Sequence, residues 1–485
     1  MAISRCSHGL RHRTHGAPGV LLRWSLILCV ASFACAEDWP RFRGPNGLGV
    51  SVSTAVPAEF GPKQNLLWRV EIAMGRSSPI VVKDKIFLTA VEGEKLVTLA
   101  LDRRTGRTIW RRDVIRDHTN KIFVGNDTAT PTPASDGENL YAFFPDLGLI
   151  SFDAAGKERW RLKLGPFDGF YGMSSSPVVH GNTVALVCDQ YHGSFVIAVD
   201  KDSGRLRWRM DRKHANTEAF STPAIYTPPH GKHQLIVNGS YRVDGYDLET
   251  GENLWWIGNQ GIYPIASPVI VNDLVIAVGS GGDTPEYPSF DTVLQQLDAD
   301  KDGKLSREEF SKAPIMKDHF GWLDTDNDGF ITRAEWDHKR NESVTDHGVT
   351  GNAIGGAGDL TASNLIWRYK KSFSTVITPL VYRDVLYLVK GGGIITTLNP
   401  RTGAVLKTGR TTDAIDEYFA SPVAADGKVF LLSHSGKVTV LKADPQWEIL
   451  NVNDLDETVQ ATPAIADGCI YIRTYKALYS FGAAQ

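Results

Sequence analysis

SPVVHGNTVALVCDQYHGSFVIAVDKDSGRLRW, residues 176–208, is one complete unit of a repeat. It holds four short apolar runs: Val178-Val179, residues 184–187, residues 195–199, and Leu206-Arg207-Trp208. Gly181-Asn182 and Ser203-Gly204 punctuate them. Runs of this length, rich in Val, Ile and Leu and bounded by turn residues, are strands rather than helices. Ser203-Gly204 supplies the positive-φ turn between the third and fourth strands. Trp208 on the outer strand has enough surface to pack on a neighbouring unit. Asp200, before the turn, reads as a local hydrogen-bonding residue.

Outward from this unit, Ser or Thr followed by Pro marks the start of every other copy. The prolines are Pro79, Pro133, Pro177, Pro223, Pro268, Pro379, Pro422 and Pro463, at gaps of 54, 44, 46, 45, 111, 43 and 41 residues. A period in the forties with four strands per unit predicts an all-β propeller. Other copies carry Asp102, Thr105-Gly106 and Trp110; Asp153, Gly156 and Trp160; and Asp247, Thr250-Gly251 and Trp256. Degenerate copies end at Trp367, Leu406 and Trp447. The unit opened by Pro463 runs out of chain before its fourth strand, whereas a spare strand stands at Leu66-Leu67-Trp68-Arg69-Val70-Glu71. The spare strand is expected to complete the last blade, closing eight four-stranded blades without exposed sheet edges.

The first 36 residues read as an export signal: Arg5, Arg11, Arg13 and Arg23, an apolar core over residues 24–33, and small residues before a cleavage site after Ala36. Lipidation at Cys35 is the minor alternative, because Phe33 and Ala34 make a poor context for it. The apolar stretch is short for a membrane span, and none later is long enough. Loss of four Arg and no acid takes the formal net charge from −3 to −7, which leaves no footprint for nucleic acid or an anionic membrane. Only Cys188 and Cys469 remain, far apart and in no metal or haem motif.

The gap of 111 residues is one period plus an insert, and the expected divisions are 1–36, 37–76, 77–282, 283–350 and 351–485. Within 283–350 strand-like runs give way to charged and helix-forming residues. Two twelve-residue segments there match the EF-hand calcium loop. Asp298, Asp300 and Asp302 supply oxygens at positions 1, 3 and 5, Lys304 a carbonyl, Ser306 a hydroxyl or bound water, and Glu309 two closing oxygens. Asp324, Asp326, Asp328, Phe330, Thr332 and Glu335 repeat the pattern. Gly303 and Gly329 permit the sharp turn, and Leu305 and Ile331 can pair between the loops. Carboxylates about 4.5 Å apart repel by roughly 4 kcal/mol per pair at an effective dielectric near 20, so each cluster calls for a cation. Phe290, Val293, Leu294, Leu297, Phe310, Ile315, Met316, Phe320, Leu323 and Trp336 would form a shared core. The insert falls between the second and third strands of blade five, on the face of the blade-linking loops. It should therefore sit beside the channel mouth.

The Asp, Thr-Gly and Trp spacing resembles the repeat of the pyrroloquinoline-quinone (PQQ)-like propellers. Asp38-Trp39-Pro40-Arg41-Phe42-Arg43-Gly44-Pro45 resembles the start of exported members. In repeat and core length the chain resembles the outer-membrane assembly factor BamB. That resemblance implies a non-catalytic, monomeric scaffold in the periplasm or outside the cell, holding a protein or other cell-envelope partner, here with two calcium ions. A PQQ-dependent dehydrogenase is the first alternative. Against it, the adjacent-cysteine pair of the alcohol-oxidising branch is missing, and no residue matches that group's cofactor ligands, so PQQ is not expected. A calcium-dependent adhesion or carbohydrate-binding module is the second. The blade-linking loops offer His118, Asn120, Phe170, Tyr171, Met173, His214, Asn216, Glu218, Tyr263, Asp416, Glu417, Tyr418, Asp456 and Gln460 as a mouth for any ligand. No catalytic residue is assigned.

Overall fold

The computed structural model describes residues 37–483 apart from 124, 216, 283–286, 315, 343 and 345; the stretch expected to be an export signal lies outside them. Eight antiparallel sheets follow one another around a central channel. Blade one is representative, with Ile80–Val82 innermost, then Lys85–Glu92, Lys95–Asp102 and, outermost, Thr108–Ile115. Ala464–Ala466, Cys469–Arg473 and Ala477–Phe481 make three strands of blade eight, and Leu66–Glu71 pairs with Ala477–Phe481 to give the fourth. The ring is thus closed by its own N-terminal strand. Among the described residues no helix is long and apolar enough to cross a membrane.

The outer strands show why the repeat needs Gly and Trp together. In all eight blades the outer-strand pairing carries a register shift beside the Trp position. Such a bulge re-aims the side chain. In five blades the Trp then reaches its neighbour: the indoles of Trp68, Trp110, Trp160, Trp208 and Trp367 donate to Arg103, Ala154, Lys201, Leu248 and Pro400 carbonyls at 2.9–3.1 Å. Each of these rings lies over the turn glycine of the next blade. A Cβ on Gly204 would sit 2.5 Å from Trp160, and the same glycine has φ +68°. Two constraints, backbone hand and ring contact, therefore converge on one residue. The preceding Asp is local, as expected: Asp102 and Asp200 each accept from two main-chain N–H groups and one hydroxyl of their own turns.

Two readings need correction at blades four and five. The repeat position in blade four belongs to Trp255, which is fully buried, and not to Trp256. Spacing from the turn explains this: Trp110, Trp160 and Trp208 all stand four residues after Gly106, Gly156 and Gly204, as Trp255 does after Gly251. Trp255 donates within its own blade, to Gln234 at 2.8 Å. The outer edge of this blade carries a fifth strand, Gly358–Asp359, running parallel to Asn253–Ile257. The third strand of blade five is Gly348–Ala353, so the propeller resumes before the expected boundary at 351.

The Ser/Thr-Pro marks form a continuous belt. The main-chain N–H of Ser78 donates to Thr132 Oγ1 at 2.9 Å, Thr132 to Ser176 at 3.0 Å, Ser176 to Thr222 at 3.0 Å and Thr222 to Ser267 at 3.2 Å. Ser267 donates to Thr378 at 3.0 Å, Thr378 to Ser421 at 3.1 Å, Ser421 to Thr462 at 3.0 Å, and Thr462 back to Ser78 at 3.1 Å. A buried N–H without a partner is costly. A short hydroxyl side chain is what each neighbouring blade offers it.

Residues 37–53 cross the channel on the far side of this belt from the blade-linking loops. Trp39 bridges Val81 of blade one, the Pro40 carbonyl accepts from Ser135 of blade two at 2.8 Å, and Val50 bridges Ala424 of blade seven. Arg43 anchors the crossing. Its guanidinium donates to the carbonyls of Gly47, Leu48, Pro379 and Pro422 at 2.9–3.1 Å. Burial pushes its pKa down to about 9.

Candidate functional site

The chain leaves blade five after Leu274–Gly279 and returns at Gly348–Ala353. Between them lie α1 (Phe290–Leu297), α2 (Arg307–Phe310), α3 (Phe320–Leu323) and α4 (Arg333–Glu342). Ser289 caps α1 by accepting from Thr292 N. Ser306 and Glu309 form a reciprocal capping box on α2, so the closing glutamate also fixes the helix start. The two loops meet through Leu305 against Ile331 and Ser306 against Phe330.

The structure brings the two acidic sets together loop by loop. Carboxylate oxygens of Asp298, Asp300 and Asp302 lie within 4.8 Å of one another, and so do those of Asp324, Asp326 and Asp328. Glu309 closes over the first loop, accepting from Ala299 N at 2.8 Å and from the N–H and hydroxyl of Ser306 at 2.9 and 2.8 Å. Glu335 closes the second, accepting from the N–H groups of Thr325 and Thr332 and the Thr332 hydroxyl, all at 2.8 Å. Lys304 and Phe330 donate their N–H to Asp302 and Asp328 at 2.8 Å. Gly303 and Gly329 take φ of +82° and +91°. The loops differ in setting. Asp324 is buried, and that burial, with the Glu335 and Asp328 carboxylates opposite, raises its pKa.

The insert is seated on the channel mouth. Phe290, Val293, Leu305, Phe310, Phe320, Trp322, Leu323, Ile331 and Trp336 form one core with Tyr191 of blade three, and Phe170 and Tyr263 pack against it. Leu294, Leu297 and Met316 are partly buried there; Ile315, expected in this core, lies outside the described residues. His319 packs against Phe170 with ring centroids 4.7 Å apart and planes tilted by 45°. His192 is bonded through Nδ1 to Asp168 at 2.5 Å and through Nε2 to the Asp324 carbonyl at 3.0 Å, tying the second loop to blade three. The Asp168 bond holds His192 above its ordinary pKa. Below the seat, Glu218 accepts from Tyr171 N at 2.9 Å, and burial pushes its pKa up to about 7.

Beside the insert the channel opens as a cavity of about 470 Å³. The eight belt residues form its throat and Phe42 its floor. Phe123, Tyr171, Phe220, Tyr263 and Phe419 stand around the wall. Arg76 faces the same space but is committed to Asp127 at 2.9 Å and Gln460 at 2.5 Å. Of the expected mouth residues, Tyr171, Tyr263 and Gln460 line the cavity. Asn216 lies outside the described residues. His118, Asn120 and Asp416 bond to blade loops instead, and His214 pairs with buried Asp244. The belt hydroxyls and the Phe42 floor were missed as lining. For the hydroxyls the signal was present, because the repeat mark itself is the lining.

A family profile described as outer membrane protein assembly factor BamB matches residues 61–194, 93–331 and 192–485. The BamB of Bordetella pertussis is 27% identical over 157 residues, 31% of this chain and 36% of that protein. The BamB of Francisella salina is 22% identical over 117 residues, 24% of this chain and 20% of that protein. The matched stretches thus span about a third and a fifth of those relatives. The crystal structure of BamB from Moraxella catarrhalis superposes with a TM-score of 0.51 at 11% identity, covering 86% of this chain and 99% of that one. The computationally designed Ika8 protein gives 0.52 at 11% identity, over 85% and 97%.

Proposed function

The chain belongs to the family of the outer membrane protein assembly factor BamB, and on that premise we propose that it is an exported, non-catalytic propeller. It holds a protein partner of the cell envelope and carries two calcium ions in an inserted EF-hand pair. Assembly is what the relatives' name describes; for this chain it is the reading the propeller supports. A belt closed by neutral hydrogen bonds and an N-terminal crossing make a rigid platform on which loops can be displayed.

The observation that carries the calcium reading is the pair of loops, each with three carboxylates within 4.8 Å and a fourth closing over them. Hard oxygen donors alone, with glycine at the turn, suit calcium. Asp298, Asp300, Asp302 and Glu309 would hold one ion, with the Lys304 carbonyl and Ser306. Asp324, Asp326, Asp328 and Glu335 would hold the other, with the Phe330 carbonyl and Thr332. A bound cation would offset the repulsion of the facing carboxylates and fix the module on the mouth.

Calorimetric titration with calcium tests the site. Two ions should bind the wild type and none the Asp298→Ala/Asp324→Ala/Glu309→Ala/Glu335→Ala variant; an unchanged stoichiometry would refute the assignment. The partner reading is tested by capture from an envelope extract. Recovery of defined envelope proteins in both the presence and absence of calcium supports a platform, and recovery of none refutes it.

A further inference from the structure

We propose that the cup at the channel mouth binds the end of a neutral saccharide, held by the aromatic wall and the belt of hydroxyls. Each of the eight belt hydroxyls accepts one main-chain N–H. Among the described residues none of them donates its own proton to a protein acceptor. A Ser or Thr hydroxyl has one donor and two lone pairs, so each belt member keeps a donor and an acceptor available toward the channel. A ligand that only accepts, or only donates, would leave half of that capacity unmet. A polyhydroxylated ring meets both.

Above the throat the wall is aromatic. Phe123, Tyr171 and Phe419 are 45%, 37% and 37% exposed, and their rings face the same space as Phe220 and Tyr263. Sugar rings present an apolar C–H face to such surfaces and a polar edge to hydroxyls. The cup is also electrically quiet. Its one lining guanidinium, Arg76, is already neutralised by Asp127. A polycarboxylate, including an anionic quinone cofactor, would bring several negative charges to a wall with no free cation among its described residues. A wholly apolar ligand would strip water from eight hydroxyls and leave them unpaired.

Size and closure give the last constraint. A cavity of about 470 Å³ falls within the roughly 300–1,000 Å³ of small-molecule sites. The N-terminal crossing, with Phe42 as floor, closes the far end. The cup therefore takes the end of a chain or a free sugar, and no polymer threads through it. This inference uses none of the calcium ligands and stands apart from that reading.

The test applies the mature protein with calcium to a printed array of neutral and acidic glycans, followed by titration calorimetry with the retained free sugars. Neutral glycans with an accessible end should be retained, and free mono- or disaccharide should compete with them. Phe419→Ala and Phe123→Ala should each weaken binding at least tenfold. Both side chains are part-exposed, and thermal melts of the variants confirm folding. Ile265→Trp, which narrows the mouth without removing a contact, should abolish binding and provides a second route. Retention of no neutral glycan, equal retention of acidic ones, or wild-type affinity in both Phe419→Ala and Ile265→Trp would overturn the proposal. So would competition by a reduced, alkylated polypeptide but not by free sugar.

Discussion

The belt and the insert both join parts that could not stand alone, and they do so with opposite chemistry. The belt repeats one neutral hydrogen bond eight times between residues far apart in sequence, the last of them joining Thr462 to Ser78. The insert gathers carboxylates two residues apart in sequence, within 4.8 Å of one another. The first arrangement is complete within the protein; the second, in the proposed function, would be completed by a cation from outside. A ring built the first way is insensitive to ions, and a module built the second way can respond to them without disturbing the ring.

The largest effect should come at the ring's closing joint. Trp68 belongs to the N-terminal strand of blade eight, lies on Gly106 of blade one and donates to the Arg103 carbonyl at 3.1 Å. Trp68→Ala removes packing and hydrogen bond together and should cost about 3–5 kcal/mol, read as a fall in the denaturant midpoint of the whole propeller. A midpoint shift confined to the insert would contradict the closed-ring account.

Next is the seam between the two regions. Glu218 sits beneath Tyr171 with its pKa pushed up to about 7 by burial, against an ordinary 4.5. Between those values the folded protein holds a proton that the unfolded chain releases, so this group's contribution to stability falls as pH rises through that window. The Glu218→Gln variant should lose that slope and gain on the wild type above pH 7. Parallel pH–stability curves for the two proteins would show that Glu218 does not titrate in this way.

A single belt bond should come third. Ser176→Ala strands the Thr132 N–H in the channel wall, at a cost of about 1–3 kcal/mol if it stays dry. Calcium should not alter that loss, because no insert residue touches the bond. A calcium-dependent loss would mean that the ring and the insert are one cooperative unit.

Legibility followed the same division. Strand content, blade number and the closing role of Trp68 were readable because period and turn chemistry are local in sequence. The placing of both acidic loops was readable for the same reason: each loop carries its carboxylates at fixed spacing within one short segment. The belt was visible only as punctuation, since the partner of each hydroxyl lies at least 41 residues away and nothing in one repeat names it. Arg43 likewise reads as one more basic residue until the fold brings the Pro379 and Pro422 carbonyls to it. Trp256 was preferred to Trp255 because adjacent indoles cannot be ranked by type, although spacing from Gly251 would have decided between them. The fifth strand of blade four arises where the repeat is degenerate, so no pattern announced it.

The smallest effect, and the sharpest test of the separation, is calcium removal. At ten times its dissociation constant one site stabilises the folded module by about 1.4 kcal/mol, well below the cost expected at Trp68. Chelation should therefore leave the propeller's unfolding midpoint unchanged. It should raise amide exchange across residues 298–309 and 324–335, because the loop N–H groups now bound to carboxylates would lose the cation proposed to hold those carboxylates in place. The second loop should be the less affected. Asp324 is buried, and His192 ties its carbonyl to blade three, so part of its order comes from the ring. His192→Ala should cancel that difference and make the two loops exchange alike without calcium. Equal exchange in the wild type, or chelator-induced exchange in the inner strands of blades one, six and seven, would show that the insert is either undocked or inseparable from the ring.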